Sequence, residues 1–221
     1  MNSSIAIDGP AGSGKSTITE LVSRRLGLFH VDSGAFYRTI TYYLIEQGID
    51  FNDEIKVLNA INCDLLEVIP GDGVFKILLN GKDVSDKIRT REITKAVSPV
   101  SAIGCVRDKV NKIFRRLSSE YNIIMEGRDI GTIVLPNAEH KFYLNASVDE
   151  RAKRRRLELL EKGEEFTFEE IRLDIQNRDH YDSTRKIAPL KKAADADEID
   201  TTSMSVEEVV EDIVGRIKKS E

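Results

Sequence analysis

Gly9-Pro10-Ala11-Gly12-Ser13-Gly14-Lys15-Ser16 has the full spacing of a phosphate-binding P-loop. It follows the apolar run Ile5-Ala6-Ile7 and opens a helical pattern. Glycines let the backbone curl so that successive N–H groups point inward and form an anion nest. The helix beginning near Lys15 adds its positive dipole end. Lys15 can reach β- and γ-phosphates, and the Ser16 hydroxyl can ligate Mg²⁺. Gly9, Pro10, Ala11, Gly12, Ser13, Gly14, Lys15, Ser16 and Thr17 are therefore the expected ATP-binding stretch. The loop points to a nucleoside triphosphate and leaves its use open.

Outward from the loop, strands and helices alternate. Residues 3–8 read as a buried strand, and the following helix runs to about Leu26, where Gly27 stops it. Ile18, Leu21, Val22 and Leu26 form its expected apolar face, interrupted by Arg25. Residues 28–31 read as a second strand ending in Asp32-Ser33-Gly34, ahead of a helix with Phe36, Tyr37, Arg38, Ile40 and Leu44. Such alternation favours a parallel sheet covered by helices. Residues 60–90 differ: two β-rich runs, a Pro-Gly-Asp-Gly turn, then Asn80-Gly81, a strong hairpin signal. They read as a small antiparallel insert, either a functional lobe or a surface hairpin without a role. Residues 91–119 read as helix broken near Pro99. Strands follow at 122–126 and 140–145, with a last one at 196–200. Ser147–Glu150 has capping-box spacing and opens a helix that Gly163 ends; Thr167–Glu170 opens the next helix and Ser205–Glu208 caps the last. The last helix should bury Val206, Val209, Val210, Ile213, Val214 and Ile217.

At 221 residues the chain can build one sizeable core, with room for a small inserted lobe. Its net charge of −5 argues against general nucleic-acid or membrane-surface binding. Any polyanion site must come from local arginines. Cys63 and Cys105 lack metal-ligand spacing and read as buried or free thiols in a cytosolic protein. The P-loop starts within ten residues of Met1, so no signal peptide is expected, and no run has the length of a membrane span.

In an open parallel sheet, ligands gather at the carboxyl ends of the strands. The P-loop, Asp32-Ser33-Gly34 and Gly127-Arg128-Asp129 should emerge there together. Arginine is in surplus around them: Arg38, Arg107, Arg128, and Arg178 with Arg185 flanking Asp182. Guanidinium forks suit phosphate oxygens. Arg151, Lys153, Arg154, Arg155 and Arg156 lie on one helix, readable as a solvated charged face or as a lid that closes arginines over transferring phosphates. With three histidines and many arginines, the composition fits a reaction whose acceptor is already an anion and needs positioning rather than a strong base.

Ile-Asp-Gly-Pro-Ala-Gly-Ser-Gly-Lys-Ser at 7–16, Asp-Ser-Gly-Ala-Phe-Tyr-Arg at 32–38 and Lys-Ile-Arg-Thr at 87–90 occur in order. Glu-Gly-Arg-Asp-Ile-Gly-Thr at 126–132, Asn-Arg-Asp at 177–179 and Ala-Pro-Leu at 188–190 complete the set. Together they resemble the bacterial-type cytidylate kinases. The resemblance implies an α/β P-loop three-layer fold: a five-stranded parallel sheet, an antiparallel β insert that binds the monophosphate, and a short helical lid. The core would cover about 1–59, 97–148 and 167–221, the insert 60–96 and the lid 149–166. It further implies MgATP as donor and CMP or dCMP as acceptor, in a monomer. Ser33, Tyr37, Arg38 and Arg128, beside Gly127, would hold the acceptor phosphate. Ser98, Arg107 and Asp129 would read the base. Arg178 and Asp182 would contact the sugar, and Lys15, Arg128, Arg155 and Arg185 would serve the transferring phosphates. Kinases for other small acceptors share the P-loop. A GTP-binding switch does too; Asn80-Gly81-Lys82-Asp83 has Asn-x-x-Asp spacing after an apolar run, but its Asn-Gly reads as the hairpin turn of the insert rather than a guanine reader.

Overall fold

The computed structural model describes residues 2–61, 65–161 and 163–220; Cys63 lies outside them. Among the described residues, five strands form a parallel sheet: β1 (Ser4–Asp8), β2 (Phe29–Asp32), β6 (Ile123–Gly127), β7 (His140–Asn145) and β8 (Asp197–Asp200). Between β2 and β6 in sequence, β3 (Leu66–Pro70), β4 (Phe75–Leu79) and β5 (Lys82–Asp83) make a separate antiparallel sheet. The main order is β2-β6-β1-β7-β8, which puts β1 at the centre. All its pairings are parallel, so Asp8, Asp32 and Gly127 end side by side on one edge.

Both faces of this sheet are buried, as parallel sheets require. Along β1, Ile5 and Ile7 turn to one face and Ala6 to the other. The first face packs on α1 (Lys15–Leu26) and α8 (Val206–Ser220) through Ile18, Val22, Val209 and Ile213. The second packs on α2 (Ser33–Glu46), α3 (Glu54–Ala60), α4 (Arg91–Val100) and α5 (Gly104–Glu120), through Phe36, Val57, Val97 and Phe114. Leu66, Leu79, Val84 and Ile88 of the insert join this second cluster. Main-chain contact adds to it: the His30 N–H donates to Gly73 O at 2.8 Å, and Phe29 stacks on Phe75. The insert thus docks on the β2 edge. Its Asn80-Gly81 turn holds both residues at positive φ, the geometry that suits a two-residue hairpin.

Most predicted elements stand within two residues of their expected ends. Several details differ. Leu21 and Val206 are over a third exposed; both lie at the margins of their helices' apolar stripes. The break expected near Pro99 falls after Val100, because a proline in the last turn forfeits only one helical bond. Ser147 caps α6 (Val148–Glu161) by accepting the Glu150 N–H at 3.2 Å, but Glu150 turns its carboxylate to Arg154. The Ser147 N–H instead donates to Thr202 Oγ1. Full capping boxes, closed in both directions, stand instead at Thr167 and Ser205. α7 (Phe168–Thr184) packs against α6 through Ala152, Leu159, Ile171 and Ile175, making a helical hairpin above the strand ends. Cys105 is a free, half-buried thiol. Among the described residues, no helix is long and apolar enough to cross a membrane.

Candidate active site

The donor loop leaves β1 through Gly9, whose φ is +155°. A Cβ there would stand 2.1 Å from Leu144 O, so only glycine lets the loop cross β7. Gly12 and Gly14 are left-handed, and Gly14 opens α1. Lys15 lies back along the loop: its Nζ donates to Pro10 O at 2.7 Å and Ser13 Oγ at 3.3 Å. Burial lowers its pKa well below the ordinary lysine value, with Arg128 adding repulsion. Ser16 is exposed and donates to Glu126 Oε2 at 2.9 Å. The second Glu126 oxygen meets His30 Nε2 at 3.2 Å. A hydroxyl beside a buried carboxylate is a hard oxygen pair, which fits Mg²⁺ held mainly by phosphates and water. Thr17 is exposed on the next helical position.

Beside the loop, the ends of β2 and β6 interlock. Asp32 caps α2 by accepting the Ala35 N–H at 3.1 Å, and Arg89 of the insert pairs with its other oxygen at 3.2 Å. Ser33 Oγ donates to Glu126 O at 2.6 Å. Gly127 permits that approach, since a Cβ would lie 2.7 Å from Ser33 Oγ. Asp8 then holds the π-helical turn Ile130–Val134, accepting the Ile130 and Gly131 N–H groups at 2.8 Å each.

Arg38, Arg128, Arg155 and Arg178 crowd one another here. Burial lowers the Arg38 pKa, with Arg89, Arg128 and Arg155 adding repulsion. Burial, with Arg128, Arg38 and Arg155, lowers that of Arg178 to about 9. Asp182 balances part of the charge, taking Arg128 Nε at 3.0 Å and lying 3.9 Å from Arg178 Nε. Among the described residues, the buried Nε atoms of Arg38 and Arg178 find no hydrogen-bond partner, nor does the Tyr37 hydroxyl, which lies toward Arg107, Asp129 and Arg185. Unpaired buried donors are costly, and a cluster of them facing excess positive charge is a cradle for an anion. Arg155 faces it from α6 while bonding Glu158 at 2.8 Å.

Next to the cradle lies a second cluster. Asp129 is buried between Arg107, which bonds Asp129 Oδ2, and Arg185, 3.3 Å from Oδ1. Burial pushes the Asp129 carboxyl up and the two guanidiniums pull it back. Arg107 also lies over the Tyr37 ring, 5.6 Å from its centroid. The hydroxyl in this cluster belongs to Ser101, which accepts from Arg185 Nη1 at 3.1 Å. Ser98 offers its carbonyl to Ser101 Oγ at 2.9 Å.

Most of the expected residues lie together here; of Ser98 only the carbonyl enters the second cluster, and two of the arginines expected on the lid turn elsewhere. Arg154 turns to Thr201, bonding its carbonyl at 2.6 Å, and Arg151 turns to the donor loop. Sequence reasoning missed Asp8, Glu126 and Ser101 as parts of the site. Asp8 and Glu126 end strands, a signal that could have found them; Ser101 follows a helix end and carries none.

Asp8 has a measurable signature. Burial raises its pKa to about 6, with Asp129 adding to the rise and the two N–H bonds opposing it. The unfolded carboxyl titrates near 4, so the native state binds the proton more tightly. Stability from this group is gained as pH falls from 7 to 5. Compared with Asp8→Asn, the wild-type unfolding free energy should rise by about 1 kcal/mol across that interval. Urea titrations at the two pH values check this; a difference that stays flat or reverses contradicts it.

The family model described as cytidylate kinase matches residues 5–219. The cytidylate kinase of Lactobacillus johnsonii is 46% identical over 98% of this chain and 94% of its own length. That of Bacillus cytotoxicus is 45% identical over 98% of this chain and 96% of its own. Among solved structures, an uncharacterized protein from Eubacterium ventriosum superimposes with a TM-score of 0.52 at 10% identity, covering 98% of this chain and 99% of its own, which speaks to the fold alone. With a P-loop, an arginine cradle and a paired acidic cluster on one sheet edge, and with near full-length likeness at this level, the chain belongs to the cytidylate kinase family.

Proposed function

We propose that this protein transfers the γ-phosphoryl group of ATP to CMP or dCMP, giving ADP and CDP or dCDP. The observation that carries the proposal is the arginine cradle beside the P-loop, with buried donor nitrogens that find no partner among the described residues. A phosphate monoester would satisfy them. Ser33, Tyr37, Arg38 and Arg128 would hold that phosphate, and Arg178 with Asp182 would flank the sugar. An oxygen of the acceptor phosphate attacks the γ-phosphorus, and the bond to the β-phosphate oxygen breaks. No strong base is needed, since the nucleophile is already an anion. Lys15, Arg128, Arg155 and Arg185 would stabilise the charge shared by the transferring oxygens.

The Asp129 cluster would read the base. Cytosine presents an amino donor beside ring acceptors, which suits a carboxylate next to a guanidinium. Uracil would place a carbonyl against the carboxylate instead. Arg107 and Asp129 are the proposed readers, with Ser98 or its neighbour Ser101 supplying the hydroxyl. Ser16 and Glu126 would hold Mg²⁺, which when bound neutralises phosphate charge. The segment 60–96 would act as the acceptor lobe and 149–166 as the lid. One chain would hold both substrates, so a monomer would suffice.

ADP formation measured against a panel of AMP, CMP, dCMP, UMP, dTMP and shikimate tests the assignment. CMP and dCMP should stimulate most. Strong stimulation by AMP or dTMP without stimulation by CMP would overturn it.

A further inference from the structure

Ala11 at the crest of the donor loop is gripped from outside at both of its backbone polar groups. Its N–H donates to Asp179 Oδ1 at 3.2 Å, and its carbonyl accepts from Arg151 Nη1 at 2.9 Å. Arg151 and Asp179 also pair with each other at 2.6 Å. Arg151 Nε donates to Ala146 O at 2.9 Å, so this buried guanidinium has three acceptors. Its approach is close: a Cβ on Gly12 would lie 3.3 Å from Arg151 Cβ. The loop's own side chains grip a different point, since Lys15 and Ser13 both bond Pro10 O. Left-handed glycines at 12 and 14 leave the crest free to move unless something outside fixes it.

We propose that Arg151 and Asp179 form a positioning clamp that presets the donor loop for the triphosphate. This rests on the reading that the loop binds ATP. The clamp has a second consequence. Asp179 stands next to Arg178 and one turn before Asp182, so α7 carries the clamp and part of the acceptor cradle on one helix. Arg151 is thus withdrawn from the set of arginines that could close over phosphates. Lysine cannot replace it, because one ammonium lacks the planar fork that meets a carboxylate and two carbonyls together.

The test is ADP and CMP affinity by titration calorimetry on the full chain, for wild type, Asp179→Ala, Asp179→Asn and Arg151→Lys. Loss of a charge-assisted bond should weaken ADP binding about tenfold or more in Asp179→Ala and Arg151→Lys. CMP affinity should stay near wild type. Asp179→Asn should fall between, since its carbonyl oxygen can still accept the Ala11 N–H. A merely structural role would lower the melting temperature without separating ADP from CMP. Unchanged ADP affinity, or equal losses for both ligands, overturns the clamp. If Asp179→Ala does not fold, the same outcomes are read from Asp179→Asn. A wild-type protein that binds no ADP would instead strike the triphosphate reading, and the clamp's purpose with it.

Discussion

Lys15→Ala should lower kcat by about a hundred- to a thousandfold, the usual cost of removing one charge that stabilises transferring phosphate oxygens, the role proposed for Lys15. The fold should survive. Lys15 is buried with its pKa depressed by burial first and Arg128 second, so its charged form costs folding free energy at neutral pH. Its removal strands no acceptor either, because Pro10 O still takes the Ser13 hydroxyl at 3.1 Å. The melting temperature should therefore hold or rise while turnover collapses. Single-turnover kinetics with ATP and CMP, alongside a thermal melt, separates the two effects. A variant that loses several degrees of melting temperature together with its activity would show that Lys15 serves the core and not the reaction.

The same residues explain how far the sequence could be read. Period and punctuation are local, so the strands, the insert hairpin and the capped helices were legible. Convergence of the P-loop, Asp32–Gly34 and Gly127–Asp129 followed from parallel order, a rule of topology rather than of any tripeptide. Pairings between distant residues were not legible. Asp179 reaches Ala11 across 168 positions, and Arg185 reaches Ser101 across 84. Arg151 illustrates the limit well. On a helical wheel it shares a face with Arg154 and Arg155, yet the three take different partners: the donor loop, Thr201 and Glu158. The wheel gives a direction from the helix axis; where the hairpin α6–α7 docks decides what lies in that direction.

Asp129 carries the second large effect, and its surroundings change how it must be tested. The carboxylate is buried between Arg107 and Arg185. Asp129→Ala would leave both guanidiniums without their shared partner, and breaking such a pair costs about 3–5 kcal/mol of stability. Loss of activity in that variant would mix unfolding with recognition. Asp129→Asn keeps the volume and one acceptor oxygen. Its amide nitrogen, however, is a donor facing donors, on the guanidinium side and toward the cytosine amino group alike. KM for CMP should rise by about ten- to a hundredfold, the worth of one charged hydrogen bond. ADP affinity should stay at the wild-type value, because the donor loop touches neither partner of Asp129. UMP, whose carbonyl can accept from the new amide, should lose less than CMP or gain. Discrimination between CMP and UMP would then narrow. If the variant instead loses ADP and CMP binding in equal measure, Asp129 holds the floor of the cleft and some other group reads the base.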